Sequence, residues 1–364
     1  DVYKRQMVSF ARDVLSLSNK SKSSRGILSL CEIIMSKDYS NKNVSILNVG
    51  NVLVDIEITI SDDDLSNLPI KKGGAIEINI IQLDKYLNIY QDQITNKYLG
   101  GSIFTTAATS SVFEIDNSFL GSVGKDSNSK YLIDTMNSYP IKTYLNVDLQ
   151  QTGCCLIFLT PDKERTMAAC PGASSQLTLA NFENLESIDF IFTDLYSLNS
   201  DINKETISYL LSTNKNLILS LSDISVMIKH IDFIKKYSDQ TSIIAGNESE
   251  MKFLQQHMSS SFIDSSLETN KVYLTTMGAK GSEVIHDGKL YKSHSIQTEI
   301  ASLNGAGDTF LGAFIGNYLQ SRDIQQSADI ANYFSHCSIQ RHEACLDFTS
   351  LLEAKNAAKA TFSI

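Results

Sequence analysis

The sequence predicts an α/β fold: a central, mainly parallel sheet flanked by helices, with a small β-sheet lid. Two patterns predict it. In the second half of the 364-residue chain, apolar runs at 188–192, 217–221, 243–245 and 272–276 are separated by segments long enough to hold helices. That spacing is the rhythm of β-α units joined by right-handed crossovers. In the first half, Val52, Val54, Ile56, Ile58 and Ile60 alternate with Asp55, Glu57 and Thr59, and Ile76, Ile78 and Ile80 alternate with Glu77 and Asn79. Strict alternation buries one face and wets the other, unlike the continuous apolar strands of a parallel core. A further half-exposed pair is expected at 153–160 and 165–170, turning at Pro161 and Asp162. The lid is therefore expected near 52–61, 75–82 and 145–170, with Asp55 on a wet face.

The remaining elements follow in chain order. Residues 44–49 form a short apolar run of the kind found in buried strands. The residues before it differ in character. Ser and Lys dominate 16–25, and Ile27, Leu28, Leu30, Ile33 and Ile34 make only a weak apolar patch. No long apolar segment followed by a small-residue cleavage site marks a secretory signal. Residues 1–42 are expected to be a disordered or mis-called N-terminal extension, and one folded domain is expected over 43–364. Near its end, Leu311, Phe314, Ile315 and Tyr318 fall at i, i+3, i+4 and i+7, an amphipathic helix beginning close to Asp308.

Composition narrows the function. Lys and Arg total 31 against 41 Asp and Glu, a formal net charge of −10, which argues against a general nucleic-acid binder. It leaves room for a small anionic ligand in one local pocket. No apolar stretch approaches the length of a membrane-spanning helix, so no membrane partner is expected. The six cysteines (Cys31, Cys154, Cys155, Cys170, Cys337 and Cys345) include no C-x-x-C pair, which reads most simply as a reduced, cytoplasmic chain. Cys154 and Cys155 adjoin, so their side chains should leave opposite faces of one strand. His336, His342 and Cys345 lie near one another but fit no zinc spacing, and are read as packed or surface residues.

The segment richest in chemistry runs from Asn304 through Gly305, Ala306, Gly307 and Asp308 into that final helix. Glycines let backbone N–H groups turn toward a ligand, and a helix N-terminus adds unpaired donors and partial positive charge. An aspartate beside such an anion site makes sense as a base that accepts a proton. On the motif alone a second reading stays open, in which Asp308 is an ordinary helix cap. A dinucleotide-binding reading is weaker, because Phe310 stands where its third glycine should be.

Other segments repeat the pattern of a known family in its order. They are 49–55 (V-G-N-V-L-V-D), the Gly100-Gly101-Ser102 turn, 160–167 around Arg165, Asn247 to Glu250 (N-x-x-E), 276–281 (T-x-G-x-x-G) and Ala331-Asn332. With the G-A-G-D run, and over roughly 44–350, the chain resembles the ribokinase/PfkB family of carbohydrate and nucleoside kinases, in its adenosine-kinase-like form. The resemblance implies a ribokinase-like three-layer sandwich and ATP-dependent, Mg²⁺-assisted phosphorylation of a primary hydroxyl on a sugar or nucleoside.

It also implies roles residue by residue. Asp308 would be the base, with the N–H groups of Gly305, Ala306 and Gly307 as the anion hole. Asn51, Asp55, Gly100, Gly101, Thr105 and Arg165 would hold the acceptor. Asn247, Thr276, Gly278, Gly281 and Asn332 would hold the nucleotide, and Glu250 would position Mg²⁺ through water. The residues read alone allow plainer roles: Asn247 and Glu250 as a helix cap, Asp55 as an exposed strand acid, Arg165 as a hairpin surface residue. Two positions depart from the family. Ser302 and Leu303 stand where many members carry Asp-Thr, so a carboxylate for an activating monovalent cation such as K⁺ is missing. Thr105 stands where the glycine loop usually reaches an Asn. The lid offers a surface on which two chains could pair as a homodimer. A small-molecule sensor on the same scaffold is the alternative function, and the base is what argues against it.

Overall fold

A computed structural model describes residues 43–182, 185–258 and 271–362. The expected N-terminal extension, 1–42, lies outside the described residues. From Val44 onward the described residues form one compact unit. Its strands in chain order are β1 (Ser45–Val49), β2 (Leu53–Thr59), β3 (Ala75–Glu77), β4 (Ile94–Gly100), β5 (Asp116–Val123), β6 (Lys142–Val147) and β7 (Thr152–Leu159). They continue with β8 (Arg165–Gly172), β9 (Phe190–Asp194), β10 (Asn216–Ser220), β11 (Thr241–Asn247), β12 (Val272–Thr276), β13 (Ser282–His286) and β14 (Lys289–Ser293). The helices are α1 (Asp62–Ser66), α2 (Ile80–Ile89), α3 (Ser102–Ser110), α4 (Ser127–Met136) and α5 (Asp201–Ser212). After them come α6 (Ile224–Lys236), α7 (Glu248–His257), α8 (Ala306–Ser321), α9 (Ile324–Ser338) and α10 (Phe348–Phe362).

Nine strands make the main sheet, in the order β14-β13-β12-β11-β10-β9-β1-β5-β6. Every pair from β6 to β12 is parallel, and β13 and β14 close the edge as an antiparallel extension. Both faces are covered, which is why these strands read as unbroken apolar runs. Successive side chains feed opposite layers: Ile46, Phe192, Ile218 and Ile243 enter one core with Phe314 and Phe334, while Leu47, Ile191, Leu219 and Ile244 enter the other with Ile207, Met227 and Leu254. The result is a helix–sheet–helix sandwich. No described helix is long and apolar enough to cross a membrane.

The second sheet has five strands in the order β3-β8-β7-β2-β4. The expected hairpin is present as β7 and β8, with Leu159 opposite Arg165 across the turn. Three expectations change. The alternation through Ile76, Ile78 and Ile80 does not continue as a strand: β3 ends at Glu77, and Asn79 caps α2 in a reciprocal capping box with Gln82. An Asn at N-cap with Gln at N3 outcompetes two more residues of alternation. Residues 142–147, overlapping the expected lid segment at 145–170, belong to the main sheet as β6. Lastly, β7 is buried along nearly its whole length, and Asp55 on β2 is only 6% exposed. This sheet closes over other parts of the chain and keeps little wet surface in its middle.

One helix contact positions everything that follows. α8 crosses α3 at Gly312, where an added Cβ would lie 2.4 Å from the Thr106 carbonyl oxygen and 2.7 Å from Thr109 Cβ. Only a residue without a side chain permits that approach. Gly312→Ala should therefore destabilise the protein by about 1–3 kcal/mol, read as a lower urea midpoint with unchanged slope.

Candidate active site

The residues singled out from sequence converge at the carboxyl ends of the parallel strands, the usual location of ligands in open α/β sheets. β1 leads into Gly50 and Asn51, β9 ends at Asp194, β11 at Asn247 and β12 at Thr276. The turn before α8 meets them. Gly305 is left-handed (φ 71°), and a Cβ there would fall 2.1 Å from the Ala344 carbonyl oxygen, so glycine is required. An added Cβ on Gly307 would meet no atom within 4 Å, which leaves the first turn of α8 open in front of its N–H donors. The Ala306 N–H instead turns back toward the Leu303 carbonyl at 3.4 Å.

Asp308 is not the cap of this helix. Gly305 occupies the cap position with no side-chain bond, and Asp308 sits a turn inside. Its Oδ1 accepts from Ser102 Oγ at 2.6 Å, and its backbone oxygen accepts from Thr106 Oγ1 at 3.2 Å. Both partners belong to α3, which begins where Gly101 (φ 100°) turns the chain out of β4. Burial raises the Asp308 pKa above the usual carboxylate range, and the Ser102 hydroxyl partly offsets that.

Asp55 faces the same space. Its carboxylate lies against the bare Cα of Gly100, where an added Cβ would fall 2.0 Å from Oδ1. Its Oδ2 accepts from Asn304 Nδ2 at 3.3 Å. Burial pushes its pKa from 3.8 to about 7; Asn304 and Arg165 oppose that shift, and the charge of Asp308 adds to it. Arg165 is no surface residue, since its Nη1 is buried and lacks a partner, and burial weakens its hold on the proton. Asn51 likewise presents a buried, unpartnered Oδ1. Two orphaned polar atoms beside a protonatable acid describe a site shaped for a polar ligand.

Asn247 caps α7, its Oδ1 accepting from the N–H groups of Ser249 and Glu250. Glu250 answers with Oε2 on the Asn247 N–H at 2.9 Å and Oε1 on its Nδ2 at 2.6 Å. The capping role is thus real, and each carboxylate oxygen keeps a lone pair for water or a cation. Gly278 (φ 55°) faces open space, whereas Gly281 (φ 98°) presses on the Ser293 carbonyl. Thr276 and these glycines form one turn, tied to α7 through Lys280 Nζ and Glu248 Oε1 at 3.1 Å.

Two expected contacts are turned inward. Thr105 is 1% exposed, with its hydroxyl beside the Cys345 thiol. Asn332 is buried too, its Nδ2 donating to Ser282 Oγ at 3.0 Å and the Ala328 carbonyl at 3.2 Å. Both brace the site's walls. The five described cysteines are free.

Sequence reasoning missed several residues. Ser102 and Asn304 stood inside the recognised motifs without a role. Asp194 is 2% exposed, its Oδ1 accepting from Ser197 N–H at 2.8 Å and Ser197 Oγ at 2.6 Å. Burial raises its pKa to about 6, and Asp308 contributes. The signal was an acid closing the apolar run of β9. Beyond Asn51 a cavity of about 910 Å³ opens between the two sheets, lined among others by Glu77, Asn79, Tyr196 and Asn199.

Comparison with known proteins places the chain in a family. A sequence profile of the pfkB family carbohydrate kinases matches residues 73–350, and the chain belongs to that family. It is a PfkB-type sugar or nucleoside kinase, on the adenosine-kinase-like side of the family. It is 24% identical over 332 residues to the adenosine kinase of Dictyostelium discoideum, covering 83% of this chain and 96% of that one. A solved probable sugar kinase from Rhizobium etli CFN 42 overlays with a TM-score of 0.78 at 21% identity, covering 89% of this chain and all of the other. The adenosine kinase of Sinorhizobium meliloti overlays at 0.75 and 20% identity, covering 87% of this chain and 100% of its own.

A stability consequence follows from Asp55. Its folded pKa is raised, so between 3.8 and about 7 the folded protein keeps a proton that the unfolded chain has released. Stability is therefore lost as pH rises through that window. Asp55→Asn removes this loss, so the variant should gain on the parent between pH 4 and pH 8, read as the difference in urea midpoints.

Proposed function

We propose that the protein transfers the γ-phosphoryl group of ATP to a primary hydroxyl of a nucleoside or sugar, with Asp308 as the base. The observation that carries this is a buried carboxylate of raised pKa, held by Ser102 one turn inside a helix whose first turn is open at Gly307. A carboxylate there accepts the proton of the attacking hydroxyl. The N–H of Gly307, in the open first turn, faces the charge that develops on the transferred group. Phosphoryl transfer asks for positioning and charge stabilisation more than covalent help, and both are supplied.

Asp55 accepts hydroxyls of the bound acceptor through oxygens that, among the described residues, only Asn304 now engages. The unpartnered Nη1 of Arg165 gains a partner in an acceptor hydroxyl or a phosphate oxygen. Asn51 Oδ1 accepts from another hydroxyl. Closure of the second sheet over them excludes water from the reacting phosphate. Thr276, Gly278 and Gly281 shape the floor under the nucleotide. Glu250, braced by Asn247, would hold Mg²⁺ through water, and the ion would supply neutralisation of phosphate charge. A sensor would have no use for the buried base.

The deciding experiment is ADP release from ATP and Mg²⁺ against pooled nucleosides and pooled sugars. Asp308→Asn keeps the shape and the Ser102 contact but removes the base, and should lower kcat about 10²- to 10⁴-fold with KM little changed. Binding of nucleosides without turnover in the parent would favour the sensor. Because Ser302 replaces the cation-holding carboxylate, replacing K⁺ by tetramethylammonium should leave the parent's turnover unchanged; strong K⁺ activation would refute that.

A further inference from the structure

Residues 50–52 carry the chain from β1 in the main sheet to β2 in the second, and among the described residues the buried Oδ1 of Asn51 has no partner. So short a link is held by side chains from other segments. Thr193 Oγ1 donates to the Val49 carbonyl at 2.9 Å, just before the link. Ser174 Oγ donates to the Val52 carbonyl at 2.7 Å and accepts from the Val52 N–H at 3.3 Å. Between these two stands Ser197. Its Oγ accepts from the Asn51 N–H at 3.4 Å, and an added Cβ on Gly50 would fall 2.3 Å from that same oxygen. The backbone of the link lies directly on the Ser197 hydroxyl, an approach that only glycine allows.

Ser197 is itself fixed. Asp194 Oδ1 accepts from its N–H at 2.8 Å and from its Oγ at 2.6 Å. With the hydroxyl proton committed to Asp194, the Ser197 oxygen has only lone pairs left to offer, and one of them meets the Asn51 N–H. Asp194 closes β9, the parallel neighbour of β1. Between these two strands the sheet order turns back, since β5 lies on the far side of β1 and β10 on the far side of β9. Ligands of open α/β sheets bind beyond the strand ends at such a point. We propose that Asp194 is a positioning residue for the acceptor: through Ser197 it fixes the link 50–52 and so keeps the Asn51 carboxamide oxygen in place for the bound acceptor. It acts through Ser197 rather than by touching the ligand. If Asp194 only closed the turn Tyr196–Asn199, its loss would cost stability and would not single out the acceptor.

The proposal rests on Asn51 holding the acceptor, so the test measures that contact separately. Calorimetric Kd values are taken on the full chain with adenosine, D-ribose and ATP as probes, together with KM and kcat for each acceptor that turns over. Asn51→Ala should weaken the acceptor about 10-fold and leave ATP unchanged. Asp194→Ala should raise acceptor Kd and KM by a similar factor, with kcat at saturation and ATP affinity unchanged. Asp194→Asn keeps an oxygen for Ser197 and should restore most of the loss. In the Asn51→Ala background, Asp194→Ala should add nothing, because no carboxamide is left to position. Ser197→Ala cuts the link to Asn51 from the other side and carries the same expectation if Asp194→Ala does not fold. Additive losses in the double variant, equal weakening of ATP and acceptor, or acceptor affinity unchanged in both Asp194→Ala and Ser197→Ala would overturn the proposal and leave Asn51 as an acceptor contact. Unchanged affinity in Asn51→Ala, or binding of neither acceptor by the parent, would overturn the role of Asn51 and the proposal with it. The expected pattern in Kd without turnover would uphold the proposal and overturn phosphotransfer.

Discussion

The 2.6 Å hydrogen bond from Ser102 to Asp308 joins two segments 206 residues apart in sequence, and the cleft is organised around it. Ser102 begins α3, which issues from the second sheet through Gly101. Asp308 opens α8, which crosses α3 at Gly312. A single contact thus links strand β4, through α3, to α8 and the layer beneath both.

Electrostatics explains why this cleft is held so tightly. Asp55, Asp194 and Asp308 are all withdrawn from water, and burial raises the pKa of each. Carboxylates that sense one another's charge in a dry cleft cannot all ionise freely. The polar partners are few: Asn304 for Asp55 at 3.3 Å, Ser197 for Asp194 and Ser102 for Asp308, both at 2.6 Å. The basic side chain that acts on Asp55, Arg165, is itself partly desolvated and has an unpaired nitrogen. Buried polar atoms left without partners in this way favour a ligand that completes their hydrogen bonds.

The legibility of the chain followed the range of the forces involved. Apolar runs placed β9 to β12 within a residue or two, since burial on both faces leaves no other composition for a central strand. The glycine-rich turn and the amphipathic helix after it were readable because backbone geometry there depends on residues a few positions apart. The extended reading of 75–82 failed for a local reason that was also visible: the Asn79–Gln82 capping box interrupts the alternation. Asp55 was misplaced for a distant reason. Alternation shows that one face of β2 differs from the other, but not that Asn304, 249 residues away, covers the polar one.

The sequence by itself determined the layered α/β architecture, the glycine-rich turn that leads into the amphipathic helix α8 and the family, because each is carried by short-range pattern or by motifs in fixed order. Tertiary structure alone decided which acids are dry, that Thr105 and Asn332 turn inward, and that Asp194 is buried with Ser197 as its partner. Those properties depend on which surfaces meet, and desolvation and hydrogen-bond pairing exist only once segments far apart in the chain have closed on one another.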